Sequence, residues 1–137
     1  MNQSRRFPAI PLSVRAARHF TTRALTDSPA DTTSAVELMV SELATNAIEH
    51  VMTSFFLTIH TTPQEIRIEV TDYGAGTPAI RPAGADALRG RGLQIVDMLS
   101  THWGVTRTSD AAKTVWFTLT LTTATDPTQA ANISSNT

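Results

Sequence analysis

The chain contains no cysteine. That excludes a disulfide framework, a thiolate nucleophile and a cysteine-based zinc site. It has no apolar run approaching the length of a transmembrane helix. Net charge is only −1, so neither general nucleic-acid binding nor a polybasic membrane anchor is expected. Gly-Lys-Ser/Thr occurs nowhere, which excludes a Walker A loop. Ser4-Arg5-Arg6-Phe7 is followed by Pro8 and Pro11 instead of an apolar segment, so it does not read as a twin-arginine signal. His19, His50, His60 and His102 are scattered and share no metal-ligand spacing. These absences leave a soluble, cytoplasmic protein as the expectation.

What is present suits one domain: 137 residues, of which 41% are hydrophobic, are enough for a single core. Charge is unevenly spread. Residues 1–26 carry Arg5, Arg6, Arg15, Arg18 and Arg23 with no acid, whereas residues 27–50 carry five acids and no Lys or Arg. Such a bias marks either a protein-binding surface or two solvated helix faces of opposite sign.

Hydrophobic period orders the chain. Residues 1–11 read as an extended arm or edge strand, with Phe7 and Ile10 between prolines. Ser13 suits the N-cap of a helix from Val14 to about Thr26, with Val14, Ala17, Phe20, Ala24 and Leu25 inward. Ser28-Pro29-Ala30-Asp31 reads as the start of a second helix running to His50. Strands follow at 55–61 and 66–70, both alternating at period two. Residues 77–89 show no period and read as a long loop of the kind kept for function. A helix over 92–99 and a hairpin of strands at 102–108 and 114–122 complete the order. Residues 123–137, rich in Thr, Asn and Ser, read as a disordered tail beyond a domain of residues 1–122. Runs of helices followed by runs of strands predict an α+β two-layer sandwich, with helices on one face of a mixed, mostly antiparallel sheet.

The central helix is the most informative stretch. Val36, Val40, Leu43, Ala47 and Val51 form one apolar stripe, and Glu42 and Asn46 lie beside it about 40° apart and one turn above each other. A carboxylate and an amide oxygen so placed suit proton abstraction and a hard cation, or else a plain solvated face. Downstream, Asp72 ends a strand before Gly74 and Gly76. An ionised carboxylate there would accept a hydrogen bond from the exocyclic amine of adenine and repel the carbonyl of guanine. Gly74 and Gly76 allow backbone to approach a flat base closely, or simply make a turn. Gly90 and Gly92 are read as opening the third helix, where free amides and the helix dipole favour phosphate. Arg89 and Arg91 flank that start and suit phosphate oxygens.

Taken in order, Glu42-Leu-Ala-Thr-Asn46-Ala47, Asp72-x-Gly74-x-Gly76 and Gly90-x-Gly92-Leu93 resemble the N, G1 and G2 boxes of the histidine-kinase-like ATPases. Trp103-Gly104 and Lys113-Thr-Val-Trp-Phe117 are similar to the stand-alone anti-sigma-factor serine/threonine kinases within that superfamily. The resemblance implies the Bergerat ATP-binding fold, with ATP and Mg²⁺ as ligands. It assigns Glu42 as general base and Asn46 as the Mg²⁺ contact. Asp72, Gly74, Gly76, Arg89, Gly90, Arg91, Gly92 and Leu93 would line the nucleotide site, and Thr114 would support Asp72. It further implies a sigma factor and an anti-anti-sigma (STAS-type) antagonist as partners, and a homodimer. A nucleotide-gated interaction module without useful turnover is the alternative.

Overall fold

The computed structural model describes residues 1–73, 87–107 and 112–121, the side chains of residues 50 and 87–91 excepted. In chain order the elements are β1 (Asn2–Phe7), α1 (Leu12–Ala24), α2 (Ala30–Asn46) and a single π turn (Ala47–Val51). These are followed by β2 (Phe55–Thr61), β3 (Glu65–Asp72), α3 (Ala87–Leu99), β4 (His102–Arg107) and β5 (Lys113–Thr120). The strands form one sheet in the order β1-β2-β3-β5-β4, antiparallel at every pairing. The helices cover one face, so the α+β two-layer sandwich is present, without the parallel pairing that a mixed sheet would have contained. The tail at 123–137 and the glycines at 74 and 76 lie outside the described residues.

Period-two alternation decides which face of the sheet is covered. Phe55, Leu57 and Ile59 of β2, Ile66, Ile68 and Val70 of β3, and Val115 and Phe117 of β5 are all buried in one core. Helix α2 closes over them with Val36, Met39, Val40, Leu43 and Ala44, followed by Ala47 in the π turn. Met39 widens the stripe expected from the sequence, while Val51 at its far end is only partly buried. Helix α1 adds Ala17 and the buried Thr21, whose hydroxyl is satisfied by the carbonyl of Ala17 at 2.8 Å. The arm is an edge strand as expected, tied down where the Met1 amino group donates to the Thr61 carbonyl at 2.7 Å. No helix among the described residues is long and apolar enough to cross a membrane.

Three local expectations are corrected. Ser13 is not the N-cap of α1: the helix begins at Leu12 behind Pro11, whose φ of −54° already suits a helix. Ser13 is buried instead and donates to the Pro8 carbonyl at 2.7 Å. Helix α3 spans Ala87–Leu99, so residues 87–89 belong to it and not to the loop expected over 77–89. Ala, Leu and Arg are good helix formers, and they extend the helix upstream of its glycines. The central helix does not stay α-helical to His50. It ends at Asn46 and gives way to the π turn, in which the Met52 amide reaches the Ala47 carbonyl at 2.9 Å.

On the uncovered face Trp116 lies across Gly104, where an added Cβ would come within 2.9 Å of the indole. The Arg67 guanidinium stacks on the same ring at 4.3 Å and bonds Glu69 at 2.9 Å. Glycine on β4 thus makes room for the one large aromatic of that row.

Met52 leaves the π turn with φ 59° and ψ 29°, and its side chain is 73% exposed. A Cβ in that left-handed region costs ~1 kcal/mol or more, and glycine escapes the cost while losing some chain entropy. Met52→Gly is therefore expected to stabilise the fold by up to ~1 kcal/mol, and Met52→Val to destabilise it by a similar amount. Thermal unfolding of the two variants against the parent checks both signs.

Candidate functional site

Helix α2 projects two polar side chains toward α3. Glu42 and Asn46 are half-buried and one turn apart, flanked by the buried Leu43, Ala44 and Ala47. Opposite them stands Gly92, itself buried. A Cβ at residue 92 would lie 3.1 Å from the Asn46 amide nitrogen and 3.4 Å from a Glu42 carboxylate oxygen. The missing side chain is what lets α3 come down onto the two polar groups. Two of the three motifs, far apart in sequence, therefore meet in one place.

This gives Gly92 a part in packing. Gly92 makes a close helix–helix approach to α2. Leu93, next in the chain, is 2% exposed and its side chain belongs to the core. The side chains of Arg89 and Arg91 lie outside the described residues, as do Gly74 and Gly76.

Asp72 closes β3. Its position continues the file Ile66, Ile68, Val70, so it faces the helices and is only 4% exposed. A carboxylate buried on an apolar face needs compensation. It finds this across the sheet, where Asp72 is in register with Lys113 at the start of β5. The Lys113 ammonium lies 3.7 Å from a carboxylate oxygen, with the two side chains 5% and 6% exposed. Removing one partner of a buried ion pair typically costs ~3–5 kcal/mol.

Thr114 was expected to support Asp72, but it sits one residue further along, opposite Thr71 and on the other face of the sheet. Its hydroxyl pairs with the Thr71 hydroxyl at 2.7 Å. Lys113 is the residue that sequence reasoning missed. The signal was available: counting back in twos from Phe117 and Val115 places residue 113 on the core face.

A second feature lies between β1 and α1. A groove of about 630 Å³ is rimmed by Arg5, Arg15, His19 and Arg23, with Leu12 and Phe20 supplying apolar surface. None of its described lining residues is acidic. Much of the arginine bias of residues 1–26 is thereby gathered at one surface. Among the described residues no group of three or more His, Asp or Glu gathers as a metal site. The oxygen donors at hand are those of Glu42 and Asn46, hard ligands of the kind Mg²⁺ takes.

Comparison with solved structures shows the fold shared with the RsbU and RsbW domains of Rv1364c from Mycobacterium tuberculosis. The TM-score is 0.67 at 14% identity, over 87% of this chain and 32% of that one. The chain thus spans about a third of the length of that structure. No curated protein matches. The model of the histidine kinase-like ATPase domain matches residues 7–119, a span that takes in every described element from the end of β1 to β5. By that match the chain belongs to the histidine kinase-like ATPase domain family.

Proposed function

We propose that the chain binds Mg·ATP and works as an anti-sigma-factor-type serine/threonine protein kinase. It would phosphorylate a Ser or Thr of an anti-anti-sigma, STAS-type antagonist and hold a sigma factor inactive. The observation that carries this reading is the convergence of the Glu42 carboxylate and the Asn46 amide on Gly92. A site for binding alone has no need of a carboxylate there, whereas phosphoryl transfer to a hydroxyl needs a base.

The residues divide the work. Asp72 accepts from the exocyclic amine of adenine. The N-terminal part of α3 would receive the phosphates, and Arg89 and Arg91 are the residue type that pairs with their oxygens. The Asn46 side-chain oxygen would hold Mg²⁺, a hard cation that would offset phosphate charge. Bound Mg·ATP supplies the phosphoryl group, and Glu42 takes the proton of the attacking hydroxyl. The arginine groove between β1 and α1 suits an acidic protein surface, and a homodimer through the arm and α1 belongs to the same reading.

Calorimetric titration of Mg·ATP and Mg·GTP tests the pocket. The wild type is expected to bind ATP in preference to GTP, and Asp72→Asn to lose that binding while circular dichroism reports an intact fold. No binding by the wild type would sink the nucleotide reading. With candidate antagonists and labelled ATP, Glu42→Gln is expected to lower phosphotransfer by a factor of ~10²–10⁴ while leaving nucleotide affinity largely unchanged. ATP binding without transfer to any antagonist would leave a nucleotide-gated interaction module. Reversing two groove charges, Arg15→Glu with Arg23→Glu, should weaken partner capture at low salt with nucleotide affinity intact. Unchanged capture would remove the groove from the partner surface.

A further inference from the structure

The alternation of β1 breaks where it should go on building the core. Phe7 is buried in register with Phe55, and the same pleat puts Arg5 and Gln3 on the helix-facing side, in register with the buried Leu57 and Ile59. Helix α1 meets them with a stripe that is cationic where a packed helix would be apolar. Arg15, His19 and Arg23 follow at four-residue spacing, so they stand on one side of α1, one turn above each other. Like charges at that spacing destabilise a helix. Departures of this kind from the folding pattern are expected where function requires them. An inward charge on an edge strand also discourages edge pairing, but that accounts for Arg5 alone and leaves α1 unexplained.

The stack is not neutralised from within. Residues 1–26 contain no acid. Among the described residues no carboxylate forms an ion pair with Arg15, His19 or Arg23. The Arg5 guanidinium lies over the Phe7 ring at 5.4 Å, which orients it without cancelling its charge. Between strand and helix the groove encloses about 630 Å³, within the range of small-ligand sites. Leu12 and Phe20 give it an apolar wall. A cleft of one charge sign with a low-dielectric wall focuses the field and concentrates counter-ions. Its permanent cations are all arginine, whose forked donors match phosphate oxygens two at a time. Arg15 and Arg23 are about 12 Å apart along the helix axis, a span that suits a ligand with more than one anionic group.

We propose that this groove is a second anion site, taking a small ligand that carries two or more phosphate groups. It shares no residue with the place where Glu42, Asn46 and Gly92 meet. A ligand seated there occupies the arginines offered to an acidic partner, so the two compete. Only that consequence rests on the partner reading above; the site itself does not.

The test is a nitrogen-15 NMR titration of the full chain with sodium pyrophosphate, and separately with orthophosphate. Magnesium is left out, and salt is kept near physiological strength so that weak surface attraction is screened. Pyrophosphate is expected to shift the resonances of Arg5 and of residues 12–23 saturably, with affinity at least about tenfold above that of orthophosphate. Arg15→Gln with Arg23→Gln should weaken pyrophosphate at least about tenfold. Arg18→Gln, on the same helix but outside the groove, should leave it unchanged. Shifts confined to α3 and the neighbourhood of Glu42 and Asn46 would overturn the proposal, and this reading needs no variant to fold. So would the absence of any saturable shift, or an affinity unaltered in the folded double variant. An acidic peptide that shifts the groove where pyrophosphate does not would make it a protein surface only, and overturn the anion site. Failure of ATP to bind the wild type would remove the nucleotide reading alone, since the two sites report through different residues.

Discussion

The pleat of β3 is the constraint on which most of this structure turns. Ile66, Ile68 and Val70 face the helices because successive residues of a strand point to opposite faces. The same alternation carries Asp72 onto the buried face two residues later, so the rule that builds the core also delivers a carboxylate into it. Once there, the charge must be met from the neighbouring strand. The register of β3 with β5 sets Lys113 beside it. A slip of one residue in β5 would turn that strand over and place Thr114, not Lys113, on the core face. Core and candidate base pocket therefore depend on one register.

The helical side of the site obeys a different constraint. Two polar groups can be half-buried between helices only if the facing helix offers room, and Gly92 offers it by having no side chain. Glycine inside a helix costs ~1 kcal/mol relative to alanine. Here that cost falls where a Cβ would press on Asn46, which is reason enough for the residue. The π turn that follows Asn46 ends α-helical winding immediately after the last polar group of the site. π turns of this kind occur often at functional sites.

The two ends of the charge asymmetry take separate roles. The acid-rich stretch becomes α2 and its flanks, where Glu42 turns to the site. The arginine-rich stretch becomes β1 and α1, where Arg5, Arg15 and Arg23 rim a groove that also exposes Leu12. A surface combining cations with apolar area is suited to a folded partner, since burial supplies affinity and charge supplies orientation. On the uncovered sheet face, Trp116, Arg67 and Gly104 instead satisfy one another within the chain.

Much of the architecture was legible in the residues themselves. Period two marked β2, β3 and β5, period 3.6 marked α1 and α2, and the boxes at 42–47, 72–76 and 90–93 stood in the order the family requires. Local propensity is carried by neighbouring residues, and so it can be read from them. The cap of α1, the helical winding of residues 87–89 and the π turn could not be read that way, because Pro11, residues 87–89 and Ala47 are consistent with more than one local path. Only the tertiary structure decided that Gly92 meets Glu42 and Asn46, and that Lys113, not Thr114, stands against Asp72. Both facts depend on how segments distant in sequence pack and register. That is fixed by burying one continuous apolar surface, and no single segment of the chain contains it.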